Sequence, residues 1–165
     1  ELLPDGRVRV WMGRPHTADA GTSITLGDQN WGATSVDVGN PHAVVFLGGG
    51  EDLDDLDLTR QPSWTPQSNF PNGVNIEFVD ELGPGHVRMR VFERGVGETE
   101  SCGTGTVAVA SAVARAHGQV EGRWTVEVPG GAVEVDLARG EAWLTGPAMI
   151  VARGHVHLPR EENDD

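Results

Sequence analysis

A single cysteine, Cys102, opens the run Cys-Gly-Thr-Gly-Thr directly before an alanine-rich stretch that continues to His117. Such a stretch, free of proline and followed by Gly118, predicts a helix over Gly103 to His117. Cys102 then stands where a helix presents unpaired N–H groups and roughly half a positive charge. A thiolate is stabilised there, so the Cys102 pKa is expected to fall. The same N–H groups are able to hold a carboxylate, and Thr104 offers a cap or a hydroxyl. The plain alternative is an inert, buried cysteine acting as a small hydrophobe.

Three further groups have the right chemistry for such a site. Glu93 and Arg94 stand together at the end of an alternating run, and an acid beside a base is able to bind a zwitterion. A surface ion pair is the plain alternative. Gly39-Asn40-Pro41-His42 places an amide and an imidazole at the start of an apolar run. The proline favours an extended or turn geometry before it, which leaves the Asn40 amide free to be offered. His42 is either a satisfied structural histidine or a base near the thiol. Asn75 interrupts Val74, Ile76 and Phe78 on the opposite face; asparagine is poor in strands, so it either meets a polar ligand or faces solvent. His155 and His157 share one face of an expected strand but lack a third ligand, so no metal site is expected.

These groups need elements to position them. Two-residue alternation recurs at Val8, Val10 and Met12, at Val74, Ile76 and Phe78, and at Val87, Met89 and Val91. It returns at Val126 and Val128, and at Val133, Val135 and Leu137. Short runs of this kind, bounded by Gly, Pro, Asn or Asp, predict half-buried antiparallel strands. The apolar run His42 to Leu47 predicts a strand buried on both faces. Asp52 to Leu58 predicts a short acidic helix, and the polar, proline-bearing stretch Thr59 to Asn72 a long loop. The helix after Cys102 is apolar on every side, which predicts that it is buried. The fold class expected is α+β: a curved, mostly antiparallel sheet or barrel wrapped around one central helix, in a single domain spanning residues 1 to 165.

Composition excludes several classes of function. The net charge of −13 argues against nucleic acid and against an anionic membrane surface. The acidic clusters at Glu51 to Asp57 and Glu161 to Asp165 are expected to be solvated surface. No apolar run reaches the ~20 residues of a membrane helix. Neither Gly95 to Gly97 nor Gly103 to Gly105 continues into a nucleotide-binding signature, and the acidic segment is not an EF-hand loop. One cysteine forms no internal disulfide, which points to a reducing, cytoplasmic location. The start at Glu1, without Met or a signal peptide, suggests a missing upstream segment.

Together, Gly39 to Phe46 (GNPHAVVF), Asn72 to Phe78 (NGVNIEF) and Glu93 to Thr106 (ERGVGETESCGTGT) resemble the diaminopimelate epimerases in sequence, order and spacing. The resemblance covers the whole chain as the second of two domains. It implies two halves, each a β-structure around a central helix, with the site between them. It also implies interconversion of LL- and meso-2,6-diaminopimelate, for lysine and peptidoglycan synthesis, without pyridoxal phosphate, other cofactor or metal. One cysteine removes the α-proton and a second delivers a proton to the other face. By matched position, Cys102 is one of the two. Gly103 and Thr104 bind the reacting carboxylate, Asn40, Asn75, Glu93 and Arg94 contact the substrate mainly at its distal end, and His42 and Glu93 help set thiol protonation. Ala43 stands where the family often has Cys. The N-terminal domain with the other cysteine is expected to be missing from this chain, which is then inactive alone; the family also suggests a homodimer.

Three other functions compete with that expectation. A proline or hydroxyproline racemase relative would leave Glu93 and Arg94 without a distal head to bind. A thiol hydrolase using Cys102 and His42 would form an acyl-enzyme. An anion-binding module would leave Cys102 inert, against which selective alkylation near neutral pH would count.

Overall fold

The computed structural model describes residues 1–157, apart from the side chains at 19 and 20. Eleven strands form one sheet: β1 (Val8–Gly13), β2 (His16–Leu26), β3 (Gln29–Asp37), β4 (Pro41–Phe46), β5 (Ser63–Thr65), β6 (Asn75–Gly83), β7 (His86–Glu93), β8 (Gly97–Thr99), β9 (Gly122–Val128), β10 (Gly131–Ala138) and β11 (Glu141–Gly146). Their order is β1-β11-β10-β9-β7-β6-β4-β3-β2-β5, with β8 beside β7. The ends of this path, β1 and β5, do not pair with each other among the described residues, so the sheet is open rather than a closed barrel.

Most neighbours are antiparallel, and the two parallel pairs organise the molecule. Parallel strands require a long crossover connection. Between β7 and β9 the crossover is α1 (Gly103–Ala116), which lies against β2, β3, β4, β6, β7, β9, β10 and β11. Between β4 and β6 it is the segment 47–74, which covers the opposite face. Each face therefore has its own core. The inner core joins Val107, Val109, Ala110 and Val113 of the helix to Val44, Val79, Met89 and Val126. The outer core joins Leu53, Leu56, Leu58 and Phe70 of the crossover to Ile24, Val45, Ile76 and Phe78. Burial of such side chains contributes about 1.5–3 kcal/mol each.

The helix is as expected: buried from Gly105 to Ala114 because its side chains are small enough for strands to approach on all sides. It ends through Gly118, whose φ of +67° fits the left-handed C′ position, while Gln119 N–H reaches Ala114 O at 2.7 Å. Other expectations change. The acidic helix reduces to a 3-10 turn at Leu53–Asp55 capped by Asp52. Its carboxylates do face solvent, yet its leucines are buried, and Arg88 draws Asp52 to 3.2 Å. The expected loop from 59 to 72 holds β5 and a 3-10 turn at Gln67–Asn69. Residues 151–157 form no strand, so His155 and His157 share no strand face. Glu161 to Asp165 lies outside the described residues.

Candidate active site

Strand alternation delivers the site. On β4 and β6, Ala43, Val45, Ile76 and Phe78 fill the outer core, so His42, Asn75 and Glu77 must point to the inner face. His42 lies opposite Asn75 in the parallel pairing. These polar side chains meet the N-terminus of α1, where Cys102 is the N-cap, with φ −129° and ψ 110°.

Hydrogen bonds join Cys102, Thr104, Asn40 and His42 of the expected residues into one chain. Cys102 Sγ lies 3.4 Å from the Gly105 N–H that donates to it and 3.5 Å from Thr104 Oγ1. Asn40 Nδ2 donates to Thr104 Oγ1 at 3.3 Å, and Asn40 Oδ1 lies 3.0 Å from His42 Nε2. His42 Nδ1 is 2.6 Å from Glu77 Oε1, and both side chains are wholly buried. Glu77 Oε2 is buried without a partner. Gly105 makes room for this carboxylate, because a Cβ there would come within 2.8 Å of Glu77 Oε1.

Two asparagines are committed inwards. The Asn40 amide is not free, since it bridges His42 and Thr104. Asn75 is 5% exposed, accepts from Arg94 N–H at 2.9 Å and donates to Pro41 O at 3.3 Å, so it neither faces solvent nor offers a free amide. It fixes the backbone on which Arg94 begins. The exposed Arg94 side chain donates to Asn72 O at 3.1 Å and crosses Gly73. A Cβ at Gly73 would lie 2.8 Å from Arg94 Cδ, and its φ of +85° also favours glycine. Glu93 is half-buried and accepts from the Thr99 hydroxyl. Glu93 and Arg94 are thus held by different partners and form no ion pair with each other among the described residues.

The electrostatics reverse one expectation. Burial pushes the Cys102 thiol up, the Thr104 hydroxyl and Gly105 N–H oppose this, and the charges of Glu77 and Glu93 add to the rise. The expected fall rested on the helix terminus alone; desolvation and two carboxylates outweigh it. Burial likewise raises Glu77, against the pull of His42. Helix geometry leaves the N–H groups of Gly103 and Thr104 without intrahelical acceptors, and both residues are partly exposed. The arrangement therefore offers a protonated thiol beside an anion cradle. Sequence reasoning passed over Glu77, although a carboxylate between Ile76 and Phe78 in a strand of that pattern is a visible anomaly. Among the described residues no cluster of three or more His, Cys, Asp or Glu side chains is placed to hold a metal, and no helix is long and apolar enough to cross a membrane.

This architecture, an open curved sheet around a buried helix, is shared with a crystal structure of a Bacillus anthracis phenazine biosynthesis protein of the PhzF family. The TM-score is 0.61 at 16% identity, over 89% of this chain and 60% of that one. At that identity the likeness concerns the fold alone. Residues 34–156 match the family described as diaminopimelate epimerase. The diaminopimelate epimerase of Streptomyces coelicolor is 46% identical over 161 residues, covering 93% of this chain and 55% of the relative. That of Corynebacterium glutamicum strain R is 46% identical over 154 residues, covering 92% and 54%. That of Acidothermus cellulolyticus is 40% identical over 169 residues, covering 100% and 54%. The chain belongs to the diaminopimelate epimerase family. It spans about half the length of these relatives.

Proposed function

We propose that this chain forms one half of an epimerase that interconverts LL- and meso-2,6-diaminopimelate without pyridoxal phosphate, with Cys102 as one of two opposed acid–base groups. The observation that carries the reading is a buried thiol capping a helix whose next N–H groups, on Gly103 and Thr104, stay open. An amino-acid α-proton is very weakly acidic. Removing it requires dipoles aimed at the charge that builds on the carboxylate, in a site that excludes water. Gly103 and Thr104 supply such dipoles.

A base on one face takes the α-proton, and the electron pair moves into the carboxylate held by Gly103 and Thr104. Cys102 then gives its S–H proton to the opposite face, leaving a thiolate; the reverse reaction retraces these steps. A single base tends to return the proton to the face it left, so a second group must come from outside this chain, and this chain alone is inactive. The raised Cys102 pKa suits the donor's part. Glu93 and Arg94 face the distal amino-acid head. Asn75 orients Arg94, while Asn40 and His42 orient Thr104 beside the thiol. A reducing cytoplasm suits a free thiol.

The test is incubation of the complete protein containing this chain with LL-diaminopimelate in D₂O. Loss of the α-proton signal with appearance of the meso form is expected. Exchange on proline or hydroxyproline, with none on diaminopimelate, would replace the substrate; epimerisation by these 165 residues alone would end the two-base account.

A further inference from the structure

Glu77 has no part in that mechanism, although it is the most deeply placed charge in the site. It is 0% exposed, on the inner face of β6, so it cannot touch a substrate. A carboxylate is costly to bury, and removing the His42 partner would leave it uncompensated. Its Oε2 gains nothing to offset this cost, since it has no partner. Yet the helix makes space for it at Gly105, the residue whose N–H reaches the sulfur. A group kept under those conditions invites a role through its side-chain hydrogen bond to His42 Nδ1 at 2.6 Å.

That contact controls a direction. An imidazole bonded at both nitrogens donates from at least one of them. When a proton lies between Nδ1 and Glu77 Oε1 and Nε2 also carries hydrogen, Nε2 donates to Asn40 Oδ1. Asn40 Nδ2 then donates to Thr104 Oγ1, and the Thr104 hydrogen is left to point at Cys102 Sγ. Sulfur thus receives two donors, Thr104 and Gly105, and its own hydrogen is free for the substrate. When Glu77 is a carboxylate accepting from Nδ1–H and Nε2 is bare, every link reverses. The Asn40 amide turns, Thr104 donates to Asn40, and its oxygen accepts the Cys102 hydrogen. The second arrangement has one proton fewer on the Glu77–His42 pair and holds the thiol closed.

Resting on the epimerase reading only for its link to turnover, we propose that Glu77 is a positioning residue which, through His42, Asn40 and Thr104, sets whether the hydrogen bond at Cys102 runs toward or away from sulfur. The charged and titratable groups facing Cys102 are Glu77 from β6 and Glu93 from β7, with His42 of β4 linked through the chain. Only the first acts through the chain of bonds. Glu93 is the same in every variant below and drops out of the comparison.

The experiment is the pH dependence of Cys102 alkylation by iodoacetamide, measured for wild type, Glu77→Gln, Thr104→Val and the double variant. Glu77→Gln is expected to move the midpoint to lower pH, because it removes a charge that opposes the thiolate and the carboxylate that reverses the chain. Thr104→Val cuts the chain without changing charge, so in that background the Glu77→Gln shift should be at least halved. An undiminished shift would reduce Glu77 to a through-space charge and overturn the proposal; no shift in the wild-type background would overturn it too. Should Glu77→Gln not fold, His42→Gln keeps an amide opposite Glu77 and is read by the same comparison. In the complete protein, Glu77→Gln should lower kcat and leave KM in place, since Glu77 meets no substrate. If alkylation behaves as stated while the protein leaves diaminopimelate untouched, the chain of bonds stands and the epimerase reading fails. The opposite pair of results retains the epimerase and removes the role of Glu77.

Discussion

The two crossovers of the sheet cover its two faces, and the faces are built to different ends. The segment 47–74 covers the outer face with leucines and Phe70, and what it meets on β4 and β6 is wholly apolar. On this side Trp31 packs edge-on to Phe78 at 5.4 Å, and its indole N–H donates to Glu51. The helix covers the inner face, and beneath its N-terminus the same two strands present His42, Asn75 and Glu77. One strand residue to the next, the molecule alternates between a core that only stabilises and a core that holds a buried carboxylate against an imidazole. The difference is one of charge: the buried carboxylate and its imidazole lie on the face that also holds the thiol, whereas the outer core buries only neutral polar groups such as Thr22.

Mutations on the two faces should therefore fail in different ways. The largest effect is expected from His42→Leu, which leaves Glu77 buried without its partner and should cost about 3–5 kcal/mol in denaturant unfolding. Adding Glu77→Leu should recover most of that stability and none of the activity; a double variant no more stable than His42→Leu would contradict the account. Phe78→Ala opens a cavity in the outer core and should also cost about 3–5 kcal/mol. It should leave the alkylation midpoint of Cys102 where it was, and a moved midpoint would show that the faces are not independent.

A smaller effect follows from pH. Burial raises the Glu77 pKa above its unfolded value. The folded state then holds that proton more tightly than the unfolded chain does. Stability from this source is complete below the ordinary glutamate range and is lost as pH climbs through it toward the raised value. Relative to wild type, Glu77→Gln should gain stability across that window; a constant difference at all pH values would mean that Glu77 does not titrate there. The smallest effect belongs to the outer surface. Arg88 and Asp52, 3.2 Å apart with side chains 33% and 56% exposed, form an ion pair in solvent. Asp52→Asn should cost about 0.2–1 kcal/mol and less in high salt.

Much of this was legible in the residues. Valine alternation located β7, β9 and β10, the apolar run located β4, and the alanine-rich stretch located the helix with Cys102 as its cap. The long hairpin of β2 and β3 was hidden because its strands are rich in Thr, Ser, Asn and Gly, with only Ile24, Leu26, Val36 and Thr22 reaching full burial among the described side chains. Threonine favours extended backbone, but polar strands give no alternation to detect. Leu53, Leu56 and Leu58 were masked by the aspartates between them, which concealed the outer core. At the site, the residues singled out by type, Asn40, His42, Asn75, Glu93, Arg94, Cys102, Gly103 and Thr104, lie together at the inner face or its rim. Their partners were not legible. Which amides are free, and whether burial or a helix terminus governs a thiol, depends on packing that spacing does not encode.

The most direct test of the central claim is Cys102→Ser in the complete protein, assayed for α-proton exchange on LL-diaminopimelate in D₂O alongside its melting temperature. Serine is a better N-cap than cysteine and nearly the same size, so the fold should hold, while its hydroxyl is far too weak an acid to replace the thiol. The account predicts an unchanged melting temperature with conversion to the meso form reduced by about 10²–10⁴-fold. Conversion at the wild-type rate would mean that Cys102 caps a helix and does nothing more.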